Sequence, residues 1–419
     1  MDAFVLALLS SAHEALSPGE DSMRALLALV LLLAYAVPLR AAVWIVDAAG
    51  GGNFTDLPAA VAAAAPGDTL LMRAGRYRGA TITRGLAVIA ISPAPQVELE
   101  SALRIENLAA AERVLVRQIA FRSCVVGISI ARCAGAVEIE DVRYHVFCAG
   151  SGIFGSGVAV PGTTPVLSAV DCAEVILRRC SFGGSRTSVG LDIPAAQLIR
   201  SAVWIYDTRF LGAFGIRCLG QRGGLALRAT QCSVLLSGCE ITGGSGSEGE
   251  TCFSSCARGY GGDGCDATGS HLRDFGSVIQ GGFQGGGCLT PPNYIRDGAP
   301  WQGNPASYLR GIERLPSLVG PALISMGVPI SFQLELLSPN PQILFLGFVR
   351  ARIEIPGLAG TLWLDPLHAF PIGSTGSSTG SYGVRLFVPS DPLAIGWELY
   401  FQAVDHRGRF GAPASGVLY

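Results

Sequence analysis

Lysine is absent from this 419-residue chain: all 30 of its basic side chains are arginine. That excludes Schiff-base chemistry and a lysine general base. Charged residues of both signs reach only 15%, against about 25% in an ordinary soluble domain. The formal net charge is −2, so there is no basic excess to hold nucleic acid. Asparagine and histidine occur five times each. No CxxC pair occurs, and no cysteine follows Cys288, which argues against a structural zinc site. What is abundant is Ala, Arg and above all Gly, at 55 residues, roughly double the usual share. The composition reads as that of a very GC-rich genome, and a bacterial source is expected. So much Gly with 49% apolar residues points to tight turns in a β-rich fold rather than to disorder.

The first residues read as an address. Met23-Arg24, the apolar run Ala25 to Val37 and the small-residue end Ala41-Ala42 have the order of a secretory signal, with cleavage after Ala41. The run is shorter than the ~20 residues of a membrane span, so no span is expected after cleavage. Glu14, Glu20 and Asp21 suit no signal, which places the true start at Met23 and makes residues 1–41 an upstream stretch plus signal peptide. Twelve cysteines, all between Cys124 and Cys288, then read as disulfides of an exported protein. The candidates are Cys124, Cys148, Cys252, Cys256, Cys265 and Cys288.

A ten-residue pattern returns five times: Val114–Ser123 (VLVRQIAFRS), Val137–Val146 (VEIEDVRYHV), Val175–Gly184 (VILRRCSFGG), Val203–Gly212 (VWIYDTRFLG) and Val234–Gly243 (VLLSGCEITG). Its positions one, three, six and eight are apolar or small. Alternation, an interruption and renewed alternation describe two short strands joined by a bend. Leu70–Gly79 and Leu272–Gly281 fit as weaker copies. The starts lie 23, 38, 28 and 31 residues apart, so one turn of a coiled parallel sheet is the minimum unit and the excess is loop. Stacking predicts one interior column of Phe121, Tyr144, Phe182, Phe210 and Ile241, and a second of Ile119, Val142, Cys180, Thr208 and Cys239. Cys124 and Cys148 then fall about one rung apart, within disulfide reach, whereas Cys180 and Cys239 are separated by the Thr208 rung and cannot bridge.

An open end of such a stack needs a cap. Thr55-Asp56-Leu57-Pro58 and the Ala-rich run to Ala65 supply a helix with an N-cap and a first-turn proline. With Gly52-Asn53-Phe54-Thr55, Gly67-Asp68-Thr69-Leu70, Gly75-Arg76-Tyr77 and the repeats, the chain resembles the secreted right-handed parallel β-helix proteins of the pectate-lyase-like superfamily. The resemblance implies a right-handed parallel β-helix over residues 42–290 and leaves activity open, because that fold carries lyases, hydrolases, esterases and inert stalks alike. Residues 291–317, with five prolines, read as a linker. In 318–419 the strand candidates Ile330–Leu337, Gln342–Phe348, Ala351–Ile355, Thr361–Leu364, Gly383–Val388 and Gly396–Val404 suggest a small β-sandwich. The fold class is therefore all-β: a capped solenoid followed by a small sandwich.

Catalytic signals are sparse. The resemblance implies, for a lyase, acidic calcium ligands on one sheet and an arginine or lysine base. Asp141 and Asp207 share position five of their repeats, but Arg179 stands between them, which makes a salt-bridge row. The aspartate pair and Gly-His-Gly of polygalacturonases are absent, as are the pectin methylesterase motifs. Gly261-Gly262-Asp263-Gly264-Cys265-Asp266 matches one copy of a calcium β-roll repeat. One copy cannot complete an oxygen shell, so Ca2+ at Asp263 and Asp266 is a weak reading and no other cofactor is expected.

Positions two and four of each repeat point outward, which sets Trp204 and Tyr206 side by side with Arg178, Glu138 and Glu140 on neighbouring rungs and Arg143 and Arg209 nearby. Exposed rings among fixed polar groups suit sugars. The competing expectation is that a loop such as 148–164 or 217–224 buries them. The reading is an exported monomer, secreted or at the cell surface, with a structural or carbohydrate-binding role toward a polysaccharide or cell-envelope glycan and without catalysis. The alternative is a polysaccharide lyase or glycoside hydrolase using Glu138, Glu140 and Arg178 on an acidic polysaccharide.

Overall fold

The computed structural model describes residues 41–92, 96–122, 127–144, 164–184, 193–215, 222–246, 259–285, 297–311, 313–320, 323–325, 328–336, 341–348, 350–354, 358–374, 380–387 and 398–418. The chain coils into a right-handed parallel β-helix with three long parallel sheets, of ten, eight and eight strands. Each turn lays one strand in each sheet: Ala136–Glu140 in the first, Arg143–Tyr144 in the second and Leu167–Val170 in the third, before Glu174–Arg178 starts the next turn. The five Val-started segments pair in register as parallel neighbours, Val114 with Val137, Val137 with Val175, Val175 with Val203 and Val203 with Val234. Leu272 continues the row.

The interior follows from that register. Phe121, Tyr144, Phe182, Phe210 and Ile241 are paired rung to rung in the second sheet, and all are buried. Phe182 and Phe210 stack with centroids 5.6 Å apart. The bend between the first and second sheets is one residue in the left-handed region: Gln118, Asp141, Arg179 and Asp207 at φ 50–60°, then Gly238 and Gly276. Left-handed backbone costs a non-glycine residue about 1–2 kcal/mol, and the stack compensates with hydrogen bonds between rungs. The amide of Cys180 donates to Thr208 Oγ1, and that of Cys239 to Ser277 Oγ, each at 3.2 Å. At the bend between the third and first sheets, Cys172 and Cys232 donate in the same way to Ser201 and Ser270. Small hydroxyl and thiol side chains fill the inside of both bends for this reason.

The helix Leu57–Ala63 caps the first turn. Asp56 is its N-cap, with the side chain accepting from the Leu57 amide, and Leu57, Ala60 and Val61 are buried. The solenoid does not stop at 290. Trp301–Gln302 adds a strand to the third sheet and Ser307–Gly311 to the first, so much of the stretch expected as a linker is a last, incomplete turn.

Beyond it, two further sheets face each other. Ser317–Val319, Pro329–Leu336 and Gly380–Phe387 form one; Leu323–Ile324, Phe410–Leu418, Glu398–Asp405, Gln342–Gly347 and Ala369–Ser374 form the other. Leu318, Phe332 and Leu334 pack against Leu344, Phe401 and Ala403 in the core between them, and a two-stranded sheet pairing Arg350–Ile353 with Leu362–Leu364 belongs to the same C-terminal segment. Ala369–Ser374 and Phe410–Leu418 were not among the strands expected.

Candidate functional site

Alternation along the first sheet turns Glu138, Glu140, Arg178, Trp204 and Tyr206 outward, yet all five are buried. The C-terminal sheets lie on them. Ile176, Trp204, Tyr206, Leu235 and Phe275 pack with Leu315, Trp363 and Ala412; further along the same face Leu71, Ile89 and Leu115 pack with Val417. The expected sugar surface is therefore an internal junction, covered by the C-terminal segment. Residues 148–163 and 217–221, in the loops expected as a cover, lie outside the described residues. Arg143 and Arg209 lie on the second sheet and stay exposed, with Arg209 3.3 Å from Glu240. The seven residues do not form one site.

At the junction, Arg113 Nη2 approaches Glu138 at 2.6 Å, and Arg350 of the cover approaches the same carboxylate at 3.0 Å. Arg178 bridges Glu138 and Glu140 at 3.4 and 2.9 Å. Glu140 also faces Arg117 at 3.4 Å and pairs with Arg179. The cover takes up the spare donors: Arg117 donates to the carbonyls of Ser415 and Gly320, and Arg179 to that of Leu318. Glu398 and Tyr400 meet Arg113. Burial by itself would raise both carboxyls. The surrounding arginines outweigh it, and both Glu138 and Glu140 are lowered to about 2. These carboxyls are thus perturbed toward permanent ionisation. That is the reverse of a general acid. A cavity of about 390 Å³ opens at the rim, lined by Glu112, Arg113, Glu174, Arg350, Arg352 and Tyr400 among small alanines. Arg350 and Arg352 both bridge Glu174 there.

A second cleft lies at the corner between the second and third sheets, where the chain leaves and re-enters on each late turn. The departing and returning stems touch through glycine backbone. The Gly224 amide donates to Ala213, Gly244 to Gly224, Gly262 to Gly244, Gly282 to Gly262 and Gly298 to Gly282, at 2.7–2.9 Å. A Cβ at Gly262 would sit 2.2 Å from the Gly224 carbonyl oxygen, and one at Gly244 1.8 Å from that of Ala213. Only glycine permits this approach. The Gly261-Gly262 run is thus part of a close-packed neck. On it sits a cleft of about 260 Å³ lined by Arg222, Tyr260, Gly261, Asp263, Asp297 and Gly298. Tyr260 is 47% exposed and Phe283, on a neighbouring stem, 69%. Asp263 accepts from Arg222 and from the Ala299 amide, and Asp297 from the Gln284 amide at 2.8 Å.

Asp263 and Asp266 do not fit a calcium site. Asp266 accepts from the amide and hydroxyl of Thr268 and lies 3.5 Å from Arg228. Both carboxylates are thus committed to cations or donors of the chain itself, and among the described residues no three acidic, His or Cys side chains gather around one point. Cys265, expected in a disulfide, is a free buried thiol inside the third sheet. Cys124, Cys148, Cys252, Cys256 and Cys288 lie outside the described residues, as does the signal segment.

No protein-family model and no curated protein matches the chain. Among solved structures, it is similar to full-length tailspike protein 2 of the Escherichia coli O157:H7 bacteriophage CAB120, at 8% identity and a TM-score of 0.21. The match covers 83% of this chain and 60% of the tailspike, less than two thirds of that protein's length. A likeness of this size carries nothing about activity.

Proposed function

We propose that this is an exported, non-catalytic carbohydrate-binding β-helix protein, and that it holds its glycan at the neck cleft. The observation that carries the reading is the pairing, in one solvent-open cleft, of the exposed Tyr260 ring with the polar groups of Arg222 and Asp297, beside the exposed Phe283. Sugars stack their C–H faces on such rings while fixed polar groups orient the hydroxyls. The glycine neck keeps that face rigid and free of side chains, so the site is formed before the ligand arrives. The chain's most concentrated acid–arginine set supports the non-catalytic half, since Glu138, Glu140 and Arg178 are sealed away and mutually neutralised. Export is supported by the Met23–Ala41 segment, and the disulfides expected of Cys124, Cys148, Cys252, Cys256 and Cys288 would suit the same compartment. The superfamily resemblance, with its secreted members, agrees.

A glycan array with wild type and Tyr260→Ala tests this, alongside an assay for unsaturated uronate released from pectin and alginate. Wild type should bind a defined glycan set, Tyr260→Ala should lose it with unchanged melting temperature, and no uronate should appear. Polymer cleavage abolished by Glu140→Gln or Arg178→Ala would replace this reading with the lyase one.

A further inference from the structure

The cover on the first sheet is fastened by a charged layer in its centre and apolar contacts at its two ends. Glu138 is faced by Arg113 and Arg178 from neighbouring strands and by Arg350 from the cover, with Glu174 beyond Arg350. Glu140 is faced by Arg117, Arg178 and Arg179, with Asp141 sharing Arg179. From the cover, Glu398 and Tyr400 reach Arg113. Carbonyls of Leu318, Gly320 and Ser415 take the outer donors of Arg179 and Arg117. Arg178 still leaves Nε and Nη1 without hydrogen-bond partners. Burying an incompletely bonded guanidinium is costly, so this layer holds only while its carboxylates are ionised.

We propose that the C-terminal sheets are an acid-released cover on the solenoid, clamped by ionised Glu138 and Glu140 and lifted when these take up protons. Protonating both adds two positive charges to a buried layer that already contains five arginines, Arg113, Arg117, Arg178, Arg179 and Arg350. With the cover in place Glu138 and Glu140 are buried, so the added charges are poorly screened by water. Lifting the cover hydrates them, and it presents Trp204 and Tyr206, flanked by Ile176 and Leu235, as a new aromatic face. The solenoid interior contains none of these groups and is left standing by the same change.

Hydroxyl-radical footprinting of the full chain at pH 7 and about pH 2 separates release from unfolding. The expected result is that Trp204, Tyr206 and Trp363 become oxidised at about pH 2 to the level seen in denaturant, while Phe182 and Phe210 stay protected. The double variant Glu138→Gln with Glu140→Gln should show that open pattern already at pH 7, and should lose its pH dependence. Arg350→Gln, which alters only the cover, should shift release toward neutral pH and stands in should the double variant not fold. Persistent protection of Trp204 at about pH 2, or oxidation of all five rings together, would overturn the proposal. So would an unchanged pH profile in the variants.

Discussion

Trp204 of the solenoid meets Trp363 of the C-terminal sheets edge to face, with ring centroids 5.1 Å apart and planes at 80°. Trp204 Nε1 donates to Thr361 Oγ1 at 3.0 Å, while Arg352 lies over Trp204 and Arg350 over Trp363. Each indole is buried and supported by a guanidinium from the cover. Trp204→Ala and Trp363→Ala should each destabilise the protein by about 3–5 kcal/mol. Because the rings touch, the double variant should cost less than the sum, by roughly 0.5–3 kcal/mol. Urea denaturation of the four proteins completes the cycle; strict additivity would mean the two rings do not share one packing unit.

Acid should weaken the fold in a defined window. Glu138 and Glu140 have folded-state pKa values lowered to about 2 from 4.5. A depressed carboxyl contributes stability that is complete above the unfolded value and is lost as pH falls through the folded one. Each therefore contributes roughly 3 kcal/mol above about pH 5, declining toward pH 2. Denaturation of wild type and Glu140→Gln at pH 7, 4 and 2.5 should show their stability gap narrowing as pH drops. A gap that stays constant would place the carboxyl's contribution in packing rather than in charge.

The glycine neck and the bends make opposite demands on a methyl group. At Gly262 the added Cβ meets a carbonyl oxygen at 2.2 Å, whereas at Gly269, with φ +66°, its nearest neighbour is the Gln231 Cγ at 3.9 Å. Gly269→Ala should cost only the left-handed backbone, about 1–2 kcal/mol. Gly262→Ala must separate two stems and break their hydrogen bond, so it should cost more, and it should weaken glycan binding at the adjoining cleft. Thermal melts rank the pair, and the reverse order would show that the stems spread without resistance.

Two of the three sheets were legible in the sequence because a single left-handed residue joins them at constant length, so Val203 and Phe210 keep one offset on every clear repeat. The third sheet follows connections of varying length. Its strands Leu167–Val170 and Ala196–Ile199 therefore hold no fixed distance from the preceding repeat, only a nearly fixed one to the next. Alternation placed Trp204 and Tyr206 outward, where they are, but it cannot name what lies beyond a strand. Tyr400 and Gln402 alternate with Leu399 and Phe401 as a solvent face would. Instead Tyr400 reaches Arg113, and Gln402 bonds the backbone of Thr361, Trp363 and Gly411. A strand buried on both faces through polar side chains has the same pattern as one half in water. The neck was hidden for a related reason: Gly261-Gly262 and Gly281-Gly282 look like loop glycines until their stems are seen to touch.

The cysteines offer a final check on the register. Cys133, Cys172, Cys180, Cys232, Cys239 and Cys265 are buried and unbridged. Cys180 and Cys239 share the inside of one bend but are separated by the Thr208 rung, roughly twice 4.8 Å, beyond the reach of a disulfide. Burial also pushes the Cys180 and Cys239 thiols up to about 12, leaving almost no thiolate to react at neutral pH. Cys133 is lowered to about 7 by its contact with Cys172, yet it too is enclosed in the core. Alkylation of the native protein at pH 7.5, without reductant, should therefore leave all six unmodified, and the same treatment in denaturant should label every one. Peptide mapping by mass spectrometry reads both states. A Cys180–Cys239 bridge would require the Thr208 rung to be elsewhere, and the turn-by-turn register of the solenoid would have to be redrawn.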